Sequence, residues 1–394
     1  MINASKYIKY LSSLMTKGSS TALAKEILKD SLKIKNKLYS NEKHIKAAVE
    51  WMLMAQKINN DGGVAALYSL YDGWHESYSE TTGYIIPTIF NYYCKTKNEE
   101  IKSSVIEMAD WELTKQMPNG AFPGGAVGNR EFPIVFNTGQ VIFGMARAFQ
   151  ETKDLKYKES AIRAADWLVS VQNKNGCWDK YDYLNKIHTY NARTAWSLLK
   201  IYDVIKNKGY LESATKNIDW ALNQQLDNGW FLNNGFYEQQ EPLLHTIAYT
   251  IQGILEAGIY LKNQEYIASA KKAADALLKL QRIDGSLAGS FDESWKSSVS
   301  WSCLTGNSQT AIIWLRLYSL TKNKEYFDAA KKINNYVKFT QNLNSKNKGI
   351  RGGIKGAYPI YGWYAPFCCI NWGAKFFIDA LMLEEDLSFG DNLG

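Results

Sequence analysis

The chain has 394 residues, 46% of them apolar and 22% charged, a composition that gives a folded globular body and excludes disorder. Its net charge of +7 comes from scattered lysines, such as Lys271–Lys272 and Lys331–Lys332, with no basic block, so a nucleic-acid arm is excluded. No apolar run approaches the roughly 18 residues of a membrane span, the opening "MINASKYIKYLSSLMTKGSS" holds no secretory apolar core, and five irregularly spaced cysteines fit reduced thiols, which together predict a cytoplasmic protein.

In chain order, residues 1–38 read as an N-terminal helical extension and residues 39–394 as one repeating domain. The repeat is marked by Gln56, Gln116, Gln172, Gln225, Gln281 and Gln341, which open "QKINNDGG", "QMPNGAFPGG", "QNKNGCWD", "QLDNGWF", "QRIDGSLAGSF" and "QNLNSKNKGIRGG". A large side chain usually stands five residues earlier (Trp51, Trp111, Trp167, Trp220, Tyr336; Ala276 in the fifth copy), often after an acid, as in "ADW" and "IDW". Each Gln closes an amphipathic helix with a lysine-rich outer face; "YKESAIRAADWLVSVQ" spaces Ile162, Ala165, Leu168 and Val169 at helical intervals. Glycine is then expected to cap each helix end. About twenty residues later a more apolar helix begins in each copy: "ETTGYIIPTIFNYY", "NTGQVIFGMARAFQ", "HTYNARTAWSLLKIY", "HTIAYTIQGILEAGIY", "TGNSQTAIIWLRLYSL" and "NWGAKFFIDALML". Burial on several sides is expected for these, with Thr or Asn as N-caps. Six copies of outer helix, glycine-rich loop and inner helix predict an all-α (α/α)6 toroid, a ring of inner helices inside a ring of outer ones. An open solenoid is the alternative stacking, but the completeness of the sixth copy favours closure.

The Gln-Gly-aromatic repeat resembles the QW-type repeats of terpenoid cyclases and prenyltransferases. It is also similar to the toroids of six-hairpin glycosidases, polysaccharide lyases, sugar epimerases and lanthipeptide cyclases. The segments "SETTGYIIPT", "HTYNARTAW", "LTGNSQ" and "NWGAKFFIDAL" look like uncharacterised toroid proteins of bacterial polysaccharide biosynthesis. The resemblance implies the fold and leaves the chemistry open. The Asp-rich acid motif of squalene-type cyclases is missing. A zinc-dependent peptide cyclase would need Cys303 and the Cys368–Cys369 pair to converge with His188 or His245, and adjacent cysteines seldom ligate one ion together. Neither metal nor cofactor is expected.

In a toroid the N-termini of the inner helices meet at one funnel-shaped mouth. His188 and His245 each open an inner helix, and this paired placement makes them candidates for proton transfer. Tyr249 follows His245 by one turn, and Arg193 follows His188 by five residues, where it could hold a carboxylate or an enolate. Glu80 opens the first inner helix. His44, on an outer helix, is expected at the surface. Expected substrate contacts are Trp74 and His75 in "GWHESYSE", Arg130 in "GNREFP", and Asn137 and Gln140 at the second inner helix. Further along come Trp178, Tyr190 and Trp230, then Asp292 and Trp295 in "SFDESW", Asn307, and finally Tyr361 and Tyr364 in "YGWYAPF". Rings that stack on sugar faces, set among amides and carboxylates, point to a glycan-active enzyme of unknown oligomeric state. Lyase or epimerase chemistry on an acidic, uronate-containing glycan in polysaccharide biosynthesis or modification is the first expectation. The alternatives are a glycoside hydrolase with paired carboxylates, a terpenoid or zinc-dependent cyclase, and a non-catalytic glycan-binding toroid.

Overall fold

The computed structural model describes residues 20–125, 132–237 and 240–391. Residues 1–19 of the predicted extension therefore lie outside the described residues. Helix α1 (Ser20–Ser31) precedes six outer helices: α2 (Asn41–Ile58), α4 (Glu99–Lys115), α6 (Leu155–Ser170), α8 (Lys208–Leu222), α10 (Gln264–Lys279) and α12 (Lys324–Thr340). Alternating with them are six inner helices: α3 (Ser79–Thr96), α5 (Val135–Thr152), α7 (Ala192–Ile205), α9 (Leu244–Leu261), α11 (Leu304–Thr321) and α13 (Asn371–Asp391). Consecutive inner helices pack together and α13 packs against α3, so the ring is closed: the fold is an all-α (α/α)6 toroid.

Burial follows the two helix types. In α10 only Tyr266, Ser269, Ala270, Ala273, Ala274 and Leu277 are buried, a single stripe at helical spacing. In α9 every residue from Leu244 to Gly258 is buried. Inner helices approach closely through small residues; a methyl group on Gly139 would stand 3.0 Å from the Thr194 Cα. No described helix is long and apolar enough to cross a membrane.

The repeated glutamine is a clamp between neighbouring outer helices. Its Nε2 donates both to the glycine carbonyl of its own loop and to a carbonyl on the next outer helix. Gln116 thus reaches Gly120 and Ser160, Gln172 reaches Gly176 and Ser213, and Gln225 reaches Gly229 and Ser269, at 2.9–3.1 Å. Gln341 closes the circle on Gly352 and His44 at 2.7 and 3.3 Å. The "ADW" acid is explained in the same way: Tyr157 and Tyr210 each donate, at 2.7 Å, to Asp110 and Asp166 on the preceding outer helix.

Three local expectations are corrected. The loop glycines do not cap the outer helices. They sit beyond the helix ends with φ of 87–95°, pressed on the next outer helix, where a Cβ at Gly176 would meet the Lys216 carbonyl oxygen at 2.2 Å. In α3, α5 and α11 the Thr and Asn residues are not N-caps either. Those helices begin earlier, so Thr82, Thr138 and Asn307 lie a turn inside and accept from the loop amides of Val64, Phe122 and Leu287 at 2.9–3.0 Å, whereas Asn191 does hold the N-cap position of α7, without a side-chain bond. His44 is fully buried instead of exposed, with Nδ1 on Gln341 Oε1 and Nε2 accepting from the Tyr39 amide.

Short strands seal the ring where its ends meet. Strand β1 (Leu67–Ser69) pairs antiparallel with β2 (Gly73–Trp74) and with β5 (Cys368–Ile370), joining the loops of the first and last repeats. Strand β3 (Ser302–Cys303) pairs antiparallel with β4 (Ala357–Tyr358). Helix α1 lies over the same region. Its Glu26 and Asp30 form ion pairs of 2.9 and 2.6 Å with the buried Lys355, and Glu26 also accepts from Asn342.

Candidate functional site

The loops that precede the inner helices enclose a cavity of about 1000 Å³ at the N-terminal ends of those helices. Seven tyrosines line it (78, 181, 183, 190, 237, 249 and 364), with Phe136, Phe236 and Trp363 adding further rings. Among the described residues, two carboxyl groups face this aromatic space, Glu80 from the first turn of α3 and Asp182 from the loop before α7.

Both carboxyls are held in environments that favour the proton. Glu80 accepts from the Tyr78 hydroxyl at 2.6 Å, and burial pushes its pKa up to about 7 against the lowering effects of that bond and of Arg193. Asp182 is fully buried; burial likewise raises it to about 7, although Asn191 Nδ2 and the Tyr183 amide both donate to it. Two acids that are about half protonated at neutral pH can share the roles of donor and acceptor.

His245 also lines the cavity. Its Nδ1 lies 2.8 Å from Gln309 Oε1, and burial lowers its pKa to about 4. With the amide oxygen as acceptor, Nδ1 carries the proton and Nε2 keeps its lone pair, a neutral base. The Tyr249 ring lies 4.3 Å from that imidazole.

The structure brings Glu80, Asn137, Tyr190, His245, Tyr249 and Tyr364 to this one cavity. Asn137 is fixed by its Nδ2 bond to the Pro123 carbonyl at 3.1 Å, and Tyr364 accepts from Trp372 Nε1 at 2.8 Å. Arg130 lies outside the described residues.

The other expected site residues are placed elsewhere. His188 is buried behind the wall, stacked on Tyr190 at 4.5 Å, with Nε2 on the Tyr183 carbonyl at 3.0 Å; it positions the loop that carries Asp182. Arg193 and Gln140 lie below the cavity, bonded to each other at 2.7 Å, because the register of α7 turns Arg193 toward the opposite end of the ring. Trp178 is a core residue donating to the Leu168 carbonyl, and Trp230 packs edge-on against Trp295 in a separate cluster. Asp292 accepts from the amides of Ser294 and Lys296 in its own turn. Asn307 is consumed by backbone bonds to Leu287 and Cys303. Trp74 packs on Trp51 and Tyr68, His75 pairs with exposed Asp72, and Tyr361 faces away beside Trp363, which does line the cavity. Cys303 is engaged as the N-cap of α11, and no three His, Cys, Asp or Glu residues converge for a metal among the described residues.

Sequence reasoning missed Asp182, Tyr78, Tyr183 and Tyr237. The available signal was weak: an isolated acid within "KYDYLN" and a tyrosine two residues before Glu80.

Residues 90–192 match the family model of the squalene-hopene cyclase C-terminal domain. No curated protein matches the chain in sequence. Among solved structures, an unsaturated glucuronyl hydrolase specific for heparin is similar over 88% of this chain and 97% of its own, with 15% identity and a TM-score of 0.72. The cellobiose 2-epimerase of Bacillus thermoamylovorans is similar over 87% and 98%, at 13% identity and a TM-score of 0.68. A D-mannose isomerase follows over 88% and 97%, at 12% identity and a TM-score of 0.69. At these identities the likeness is one of architecture, and it agrees with the closed ring of helical hairpins described above.

Proposed function

We propose that this protein is a carbohydrate-active enzyme that seats the end of a glycan in the upper cavity and cleaves a glycosidic bond with the carboxyl pair Glu80 and Asp182. The observation that carries this reading is the presence of two acids, both poised at about 7, facing one tyrosine-lined space. In this scheme the protonated member donates to the glycosidic oxygen and the ionised member draws a proton from water. Tyrosine rings stack on pyranose faces while their hydroxyls meet those of the sugar, a lining poorly suited to a bare terpenoid chain.

Among the described residues, no lysine or arginine lines this cavity. The glycan-hydrolysing neighbour supports the reaction class and leaves the substrate open.

The neutral imidazole of His245 supports a second reading, abstraction of a carbon-bound proton as an epimerase or isomerase would require. One assay separates the two. The protein is incubated with neutral and uronate-containing oligosaccharides while reducing ends, ultraviolet absorbance and sugar configuration by NMR are followed together. New reducing ends that vanish in Glu80→Gln and Asp182→Asn establish hydrolysis. Epimerised or isomerised product that vanishes only in His245→Gln replaces it with the second reading, and turnover surviving all three variants overturns both.

A further inference from the structure

The opposite end of the ring holds a second concavity, of about 670 Å³, reaching down to Arg193. Arg193 is 2% exposed, yet no carboxylate pairs with it among the described residues. Its Nε donates to Gln140 Oε1 at 2.7 Å and its Nη1 to Gln252 Oε1 at 3.0 Å; three of its five N–H groups make no hydrogen bond. The rings of Tyr249, Phe376, Phe143 and Trp196 lie around the guanidinium at 5.2 Å.

The acids whose charges act on Arg193 are already engaged, Glu80 by the Tyr78 hydroxyl in the upper cavity. Glu256 takes a two-pronged bond from Arg316 at 2.8 and 2.9 Å. Asp379 is held by Lys375 at 2.6 Å and by Thr88 at 2.8 Å. Cations near the rim have another explanation, since Lys95 stands in the last turn of α3, where it answers the negative helix end, and also pairs with Asp386. Arg193 is in the first turn of α7 and has neither excuse. Burying a cation with no direct counter-ion is unfavourable, and an arriving anion would offset that cost.

We propose that this lower concavity is a second binding site, for a small organic oxyanion whose negative group seats on Arg193 and whose ring lies against Trp196. Phosphate esters and carboxylates share the chemistry that a guanidinium recognises through paired N–H donors. Trp196 and Phe143 meet edge to face at 4.7 Å and line the wall, with Lys200 reaching over Trp196 from the rim. The site is separate from the upper cavity, which does not include Arg193.

The test is calorimetric titration of the whole protein with inorganic phosphate, glucose 6-phosphate and glucuronate at matched ionic strength, with Tm followed in parallel. One saturable site is expected, with a rise in Tm, a loss of tenfold or more in affinity in Arg193→Gln, and unchanged affinity in the upper-cavity variant Asp182→Asn. Binding by the two phosphate probes alone identifies a phosphate ester, and binding by glucuronate alone identifies a carboxylate. Should Arg193→Gln fail to fold, Trp196→Ala combined with Lys200→Glu gives the same reading, with a tenfold loss expected. Absence of saturable binding by all three probes, affinity unchanged in the folded variants of the lower concavity, or affinity abolished by Asp182→Asn would overturn the proposal.

Discussion

The girdle of outer helices and the mouth of the inner ring are built on opposite principles. In the girdle one solution recurs: a glutamine clamped to a glycine carbonyl and to the neighbouring helix, with a Tyr–Asp bond in the middle repeats. At the mouth no two repeats agree. The first supplies Glu80 and Tyr78, the third Asp182, Tyr183 and Tyr190, the fourth His245 and Tyr249, and the last Trp363 and Tyr364. A joint that every repeat must make leaves the same residues in every copy, whereas a site bound to one asymmetric ligand needs a different residue from each. In this molecule, repetition marks what holds the ring and departure from it marks the lining of the upper cavity.

That contrast is open to direct attack. Glu80→Gln and Asp182→Asn should each lower kcat by about 10²–10⁴ while leaving the protein folded. Their effect on stability has a definite sign. Glu80 has a raised pKa in the fold, so its contribution is fully present below its unfolded value near 4.5 and is lost as pH rises through about 7. Glu80→Gln cannot ionise, so above pH 7 its Tm should equal or exceed that of the parent. A Tm collapse in this variant would make Glu80 part of the frame.

Girdle variants should do the reverse. Gln172→Leu strips a donor from two carbonyls and an acceptor from Ser213, and should cost roughly 3 kcal/mol with kcat per folded molecule unchanged. Urea denaturation beside active-site titration checks this.

The joint at His44 predicts a pH limb. Burial lowers its pKa to about 4, so its contribution is complete above its unfolded pKa of 6.5 and is lost progressively as pH falls toward 4, by about 3 kcal/mol at most. His44→Gln should flatten that limb in a series of melts between pH 7 and 4. The smallest expected effect is that of Tyr210→Phe, about 1 kcal/mol for one bond to Asp166; a larger loss would mean that the Tyr–Asp bonds, and not the glutamines, carry the girdle.

The same contrast explains what could be read from the chain before its fold. Six glutamines in one register were enough to define the ring, because periodic contacts write themselves periodically into sequence. What the glutamine does was invisible, since its partner carbonyl lies 41–48 residues away on another helix and belongs to the backbone, which has no letter. The two-residue turns between inner and outer helices were also overlooked, although Lys97–Asn98, Lys206–Asn207 and Lys262–Asn263 repeat a lysine at positive φ followed by an N-capping Asn. At the mouth, Glu80 and His245 were legible because they stand in the first turns of inner helices, and Tyr249 because it follows His245 by one turn. Asp182 was not, since it reaches the cavity from an irregular loop whose path no periodicity records. His188 misled for a related reason: its position matches that of His245, but α7 is entered through a 3-10 turn (Thr189–Asn191) that points the ring into the wall.

The clamp between Gln341 and His44 spans 297 residues along the chain, where its five counterparts span 41–48. Each doubling of loop length adds about 0.6 kcal/mol of closure entropy, so this joint costs roughly 1.5 kcal/mol more to form than the others. A ring with one dear joint behaves like a lock washer, which springs at the split. Here the split is fastened several times over, by the β1–β5 ladder, by the buried imidazole of His44 and by helix α1 lying across it through Glu26, Asp30 and Lys355. Helix α1 is thereby a clasp across the joint where the ring closes.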